Sequence, residues 1–124
     1  MLLANLLGKL NVNCLIVDKR TEDVEWSRAI GVMPPSLAIL EKVGLAETFI
    51  ERGVKVKKAI VHDDRGIAGE VGFENIPSPF RFVLSCPQSR TMVVLKEALG
   101  DRQSVTTRFG QELTGLEQKR RGVV

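Results

Sequence analysis

An aspartate at the end of an apolar run is the residue of this sequence best placed for binding chemistry. The run Cys14 to Val17 is followed by Asp18 and then by two bases, Lys19 and Arg20. In dinucleotide-binding βαβ units, an acid at the carboxyl end of a strand accepts hydrogen bonds from ribose hydroxyls. The sequence therefore predicts a buried strand that presents Asp18 to a nucleotide, although many α/β proteins place an acid there only for solubility.

The elements before Asp18 fit the second half of a βαβ unit. An amphipathic helix over Leu2 to Leu10 is predicted to lead through a tight turn into the strand. The first half of such a unit is a strand followed by a glycine-rich phosphate loop. The only glycine near the start is Gly8, so the sequence holds no such loop. We therefore expect residues 1–124 to be a partial nucleotide-binding domain.

Length and charge restrict the class of protein. A chain of 124 residues forms one domain at most. The net charge of +3 comes from dispersed bases, and the aromatic residues are five Phe and one Trp. A nucleic-acid surface requires clustered bases with stacking aromatics, so no nucleic-acid partner is expected. The one tight basic run, Lys119 to Arg121, is interpreted as the tip of a hairpin.

Cysteine and histidine usage also narrows the possibilities. Cys14 and Cys86 form no C-x-x-C motif and are predicted to be free thiols, which suits a reducing compartment. His62 is the only histidine, so no metal site is expected. The apolar N-terminus is interrupted by Asn5 and Lys9 and is too short to span a bilayer. The expected location is the cytoplasm, with no transmembrane segment.

The rest of the pattern predicts alternating helices and short strands. Proline at Pro34 and Pro35 suits the first turn of a helix, and Gly44 suits the position after its end. Asp63 to Gly66 is a turn sequence that predicts a hairpin between two strands. The predicted elements are a loop over Thr21–Met33, helices over Pro34–Val43, Leu45–Glu51 and Gln88–Leu99, strands over Val54–His62, Ile67–Phe73, Phe80–Leu84, Ser104–Phe109 and Glu112–Glu117, and a turn over Lys119–Gly122.

Four segments in this order resemble the FAD-dependent aromatic monooxygenases, the group that includes para-hydroxybenzoate hydroxylase and phenol hydroxylase. They read LIVDKR, SRAIGVMPPSLAILEKVGLAETFIERG, LSCPQSRTMVVLKEAL and VTTRFGQELTGLEQ, and they cover nearly the whole chain. The second is the most specific, with its arginine before small residues and its helix ending in V-G-L. The resemblance implies a partial FAD-binding, Rossmann-like domain of glutathione-reductase type with an inserted antiparallel β element.

The resemblance also implies roles for individual residues. Asp18 stands where the family has an acid, more often Glu, that bonds the adenosine ribose. Arg28 matches an arginine that contacts the cofactor near its pyrophosphate and flavin, and Gln88 matches a glutamine that reaches the ribityl chain. Lys19 or Arg20 would flank the adenosine phosphate. The family's later G-D segment, which closes over the ribityl phosphate, does not occur in the sequence.

A full-length relative would use FAD, NADPH or NADH, and oxygen to hydroxylate a small aromatic substrate, of phenolic or polyketide type. The oligomeric state is not indicated by the sequence. Two other interpretations remain open at this point. One is an inactive remnant or a non-enzymatic binding module. The other is a fragment of an NAD-dependent dehydrogenase, which the predicted hairpin at Val54–Phe73 disfavours because it would interrupt a βαβ run.

Overall fold

The computed structural model describes residues 1–21, 29–119 and 122–123, and it is a mixed α/β arrangement. The helices are α1 (Leu2–Lys9), α2 (Pro34–Lys42), α3 (Ala46–Glu51) and α4 (Gln88–Gly100). The strands are β1 (Cys14–Asp18), β2 (Gly31–Val32), β3 (Val54–Val56), β4 (Lys58–Asp63), β5 (Gly66–Gly72), β6 (Val83–Ser85), β7 (Val105–Phe109), β8 (Gln118–Lys119) and β9 (Gly122–Val123).

The strand that ends at Asp18 belongs to a parallel pair. β1 pairs with β7 over five residues, with Cys14 opposite Val105 and Asp18 opposite Phe109. Helix α1 packs against both strands, and its approach to β7 is close: a Cβ on Gly8 would lie 2.9 Å from Val105 Cγ2. The predicted helix and strand at the start of the chain are therefore confirmed.

The prediction that β1 is a buried strand is wrong for one of its faces. Residues along β1 alternate between half-buried and exposed, and Leu15 and Val17 are 52% and 39% exposed. Within the described residues, α1 covers the face that carries Cys14 and Ile16, and β7 is the only strand that pairs with β1. The opposite face and the other edge of β1 thus remain open to solvent.

The main core lies around α2, α3, α4 and β6. Phe49, Leu37 and Leu84 are its largest fully buried apolar side chains. The other members are Leu40, Ala46, Phe80, Cys86, Val94 and Leu95. Cys86 is a buried free thiol, whereas Cys14 is a free thiol that is only half-buried. This core fixes where α4 begins.

Two helices end in the same backbone motif. After α2, the N–H of Gly44 donates to Glu41 O and that of Leu45 donates to Leu40 O, with Gly44 at φ +77°. After α1, Asn11 takes the corresponding left-handed position at φ +56°. These are Schellman ends, in which a residue with positive φ lets two late carbonyls find donors. The predicted end of α2 at Gly44 is confirmed.

The three-stranded antiparallel sheet, in the order β2-β6-β3, differs from the sequence prediction in two ways. Gly31 and Val32 fall in the predicted loop but form β2, because β6 supplies an antiparallel partner. The predicted strand over Val54–His62 is divided: β3 pairs with β6, whereas β4 pairs with β5. Strand pairing over long sequence distances, which a local pattern does not contain, decides both.

The inserted antiparallel element is the hairpin of β4 and β5. Its turn is the predicted one, with the Arg65 N–H donating to Asp63 Oδ1 at 2.8 Å and Gly66 at φ +124°. One element was predicted wrongly near the C-terminus: Glu112–Glu117 forms no strand in the structure. Among the described residues no strand pairs with this segment, and its apolar side chains Leu113 and Leu116 are exposed.

Candidate functional site

The predicted ribose acceptor stands at the carboxyl end of the parallel pair. Asp18 is the last residue of β1, and beyond it the chain stays beside the end of β7. The N–H of Gln111 donates to Asp18 O at 3.2 Å, and the N–H of Gly110 donates to Arg20 O at 3.3 Å. These two bonds hold the segment Asp18–Arg20 against the residues that follow Phe109.

The carboxylate of Asp18 is organised by Arg20. Asp18 Oδ1 accepts from the Arg20 N–H at 3.0 Å and from Arg20 Nε at 3.3 Å, and Asp18 Oδ2 accepts from Arg20 Nη2 at 3.2 Å. These side-chain and backbone hydrogen bonds hold the pKa of Asp18 below its ordinary value of 3.8. The group is therefore ionised at neutral pH and acts only as an acceptor, which suits the hydroxyl donors of a ribose.

Lys19 points toward a different partner. Its Nζ lies 3.1 Å from Glu112 Oε1, and both side chains are more than 60% exposed. An ion pair this exposed adds little to stability and is easily exchanged for another partner. The structure thus brings Lys19 and Arg20 together with Asp18 at one end of the sheet.

Gln88 lies at a different strand end. It is the exposed first residue of α4, directly after β6 and the Cys86-Pro87 step. The N–H of Cys86 donates to Ile30 O at 2.7 Å, and that of Thr91 donates to Pro87 O at 3.1 Å. The start of α4 is therefore fixed by the three-stranded sheet and the main core. Arg28, the fourth predicted residue, lies outside the described residues.

Sequence reasoning did not identify Phe109 beside Asp18, or the lysine that lies over the ring of Phe109. Phe109 lies opposite Asp18 in the register and is 41% exposed, and Lys96 Nζ from α4 stands 5.0 Å from the centre of its ring. A cation over an aromatic face is attractive. The signal that could have identified Phe109 was its position at the end of the predicted strand Ser104–Phe109, since the carboxyl ends of parallel strands meet at one edge of a sheet.

The described residues also bear on a metal site, a membrane span and a surface groove. No group of three or more His, Cys, Asp or Glu side chains there could hold a metal ion. No helix in that part of the chain is long and apolar enough to cross a membrane. An open groove of about 350 Å³ lies between the α2–α3 turn and α4, lined by residues that include Thr48, Glu97 and Arg102, and it contains none of the predicted site residues.

Known proteins are similar in sequence to almost the whole of this chain. The chain is 34% identical to rifampicin monooxygenase of Streptomyces venezuelae over 126 residues, 99% of the chain and 25% of that protein. It is 24% identical to pentachlorophenol 4-monooxygenase of Sphingobium chlorophenolicum, over 99% of the chain and 23% of that protein. The chain thus spans about a quarter of the length of these curated relatives.

The fold agrees with that of a solved monooxygenase structure. The p-nitrophenol 4-monooxygenase PnpA from Pseudomonas putida superposes with a TM-score of 0.88 at 20% identity, over 99% of the chain and 34% of that protein. This confirms the predicted α/β class with its antiparallel element. The sequence-family model described as "FAD binding domain" matches residues 1–124, which confirms FAD as the expected cofactor. The chain therefore belongs to the family of FAD-binding domains found in FAD-dependent aromatic monooxygenases.

Proposed function

We propose that the chain supplies the adenosine-binding end of an FAD-dependent monooxygenase, with Asp18 as the acceptor for the ribose hydroxyls. The observation that carries the proposal is the ionised carboxylate of Asp18 at the carboxyl end of the β1–β7 pair. In open α/β sheets, ligands bind outside the carboxyl ends of the strands. Asp18 is also in a chain whose whole length matches the FAD-binding domain family.

Three further residues complete the proposed cofactor set. Gln88, exposed at the first turn of α4, would reach the ribityl chain, and Lys19 would stand near an adenosine phosphate. Arg28 would bond the cofactor near its pyrophosphate, because a guanidinium can make two parallel hydrogen bonds to phosphate oxygens. These three assignments rest on the resemblance of the matching sequence segments.

We propose that residues 1–124 are one part of the complete FAD-binding domain. The supporting observation is the open edge of β1, beside the exposed Leu15 and Val17. A further strand there would complete a parallel sheet, and a glycine-rich loop after it would bind the pyrophosphate through backbone N–H groups. The sequence holds no such loop, and no further strand pairs with that edge in the part of the chain that the structure describes. The 124 residues span about a quarter of the relatives' length.

The complete protein is proposed to hydroxylate a phenolic or polyketide-like aromatic compound with oxygen and NADPH or NADH. The names of the relatives, which act on rifampicin and pentachlorophenol, support an aromatic substrate. Bound FAD supplies the redox chemistry in such proteins, and the residues of this chain would bind and orient it. No described residue of this chain is assigned to contact the substrate.

The test is FAD titration of a chimaera, in which residues 1–124 replace the matching quarter of the Streptomyces venezuelae rifampicin monooxygenase. Arg28→Ala should weaken FAD binding about tenfold or more, the size of a lost charge-assisted hydrogen bond. Arg28→Lys should recover part of the loss, because an ammonium cannot make the planar two-bond contact. A chimaera that folds but holds no FAD would contradict the proposed function.

A further inference from the structure

One buried amide joins the two helices that lead to the proposed cofactor residues. Asn5 lies in the middle of α1, and its side chain has no exposed surface. Its Nδ2 donates to Leu95 O of α4 at 3.1 Å and to Met1 O at 3.3 Å. The bond to Leu95 connects residues 90 positions apart, so it fixes how α1 lies on α4.

Stability alone does not explain an amide at this position. Oδ1 of Asn5 is buried and has no hydrogen-bond donor among the described residues. A buried acceptor without a donor is unfavourable, and an apolar side chain of similar size would avoid that cost. What the amide adds is direction, because a hydrogen bond has a defined distance and angle, whereas apolar packing permits sliding.

The two helices held by this bond lead to different proposed residues, although the start of α1, at Met1 and Leu2, also packs against the main core. Helix α1 packs on β1, which ends at Asp18, whereas α4 begins at Gln88 and is fixed by the main core. Gly8 brings α1 close to β7, so the contact of α1 with the parallel pair is tight at the C-terminal end of the helix. A shift of α1 along α4 would therefore move the end of the β1–β7 pair that carries Asp18 relative to Gln88.

We propose that Asn5 is a positioning residue for FAD. Its bond to Leu95 O sets the separation between the acceptor at Asp18 and the amide at Gln88, so that both meet one cofactor molecule. This inference rests on the proposed function, since it takes Asp18 and Gln88 as the two binding residues. Asn5 itself does not touch the cofactor.

The first experiment uses the 124-residue chain and measures urea unfolding. Asn5→Leu, with Asn5→Met as a second apolar variant in case the branched side chain does not fit, should unfold at an equal or higher urea concentration than the parent. The matched control is Val94→Ala, which truncates the buried α4 residue just before Leu95 and should unfold at lower urea because it leaves a cavity. Lower midpoints for both apolar Asn5 variants would make Asn5 an ordinary stabilising contact and overturn the proposal.

The second experiment measures FAD affinity in the chimaera. Asn5→Leu should bind FAD about tenfold more weakly, a size that coupling between linked groups can reach. Val94→Ala should bind FAD like the parent. In a double-mutant cycle, Asn5→Leu is combined with Gln88→Ala. The double variant should lose no more FAD affinity than Gln88→Ala alone, because once the Gln88 amide is absent its position no longer matters.

The outcomes separate this inference from the proposed function. If Asp18→Ala and Gln88→Ala weaken FAD binding while Asn5→Leu binds like the parent, the positioning role is wrong and the proposed function stands. If all three variants bind FAD like the parent, the proposed function fails with it. Strictly additive losses in the cycle would also overturn the positioning role.

Discussion

Arg20 lowers the pKa of Asp18, the carboxylate in the proposed site. Three of its groups donate to Asp18, and they are the main reason for the lowered pKa, with the charge of Lys19 a minor cause. Arg20→Ala keeps the backbone donor and removes the two side-chain donors. We expect carbon-13 NMR titration to show the pKa of Asp18 rising toward 3.8 in this variant.

Lys19→Ala is the matched control, since it removes a neighbouring charge and no bond to Asp18. It should move the pKa of Asp18 less than Arg20→Ala does. The sign of the stability effect follows from linkage. Because the folded pKa is depressed, the contribution of Asp18 is present above the unfolded value and is lost as pH falls through the folded one. Equal pKa changes in the two variants would contradict the assigned cause.

Asn11 carries the backbone conformation that ends α1. Its φ of +56° lies in the left-handed region, which glycine adopts at lower cost than asparagine and asparagine at lower cost than alanine. Asn11→Gly should therefore raise the free energy of unfolding, and Asn11→Ala should lower it by about 1 kcal/mol. Urea unfolding measures both, and Asn13→Ala in the same turn should have almost no effect. An Asn11→Ala variant as stable as the parent would contradict the assigned end.

Among individual residues, the sequence predicted the hydrogen-bond acceptor Asp18 but not the residues that surround or position it. Asp18 was predictable because an acid after an apolar run marks a strand end. Phe109 and Asn5 were not, because their importance depends on register and helix contacts formed by residues some 90 positions away. An isolated polar residue in an amphipathic helix gives no local sign of such a contact.

Among the elements, α1 depends on a glycine for its approach to β7. A Cβ at Gly8 would meet Val105 Cγ2 at 2.9 Å and Arg102 Cβ at 3.0 Å, and neither atom is the far end of a long, flexible side chain. Gly8→Ala should lower the free energy of unfolding by about 1–3 kcal/mol, the usual cost of overpacking. Thermal or urea unfolding of the purified chain measures this.

Gly100→Ala is the control for that substitution. Gly100 is the last residue of α4, and a Cβ there would meet no atom within 4 Å. Alanine is the better helix former, so this variant should be as stable as the parent or slightly more so. If Gly8→Ala were equally harmless, α1 would not lie where the structure places it.

Elements bounded by strong local signals were predicted correctly, and the errors lie where pairing with a distant strand decides whether or where a strand forms. Proline opens α2, Gly44 ends it, and the Asp63–Gly66 turn defines the hairpin. The two-residue β2 and the division between β3 and β4 depend on β6, which is far away in sequence. Alternation over Glu112–Glu117 suggested a strand, but a strand also requires a partner.

Considered as a whole, the molecule has a well-packed unit around α4 and a more open one around β1. The apolar side chains Leu15 and Val17 are exposed, and β1 has one unpaired edge within the described residues. The 124 residues contain no glycine-rich loop to bind a pyrophosphate. We therefore expect the chain alone to bind FAD weakly or not at all, as measured by equilibrium dialysis. A yellow preparation with near-stoichiometric flavin would contradict this.

The central claim is that Asp18 holds the ribose of FAD, and FAD titration of the chimaera tests it most directly. Asp18→Ala should weaken binding about tenfold or more, and Asp18→Asn should cost less because an amide oxygen still accepts from a hydroxyl. Asp64→Ala, an equal change of charge in the exposed β4–β5 turn, should bind FAD like the parent. If Asp18→Ala instead binds FAD as tightly as Asp64→Ala, the acceptor assigned to this strand end is wrong.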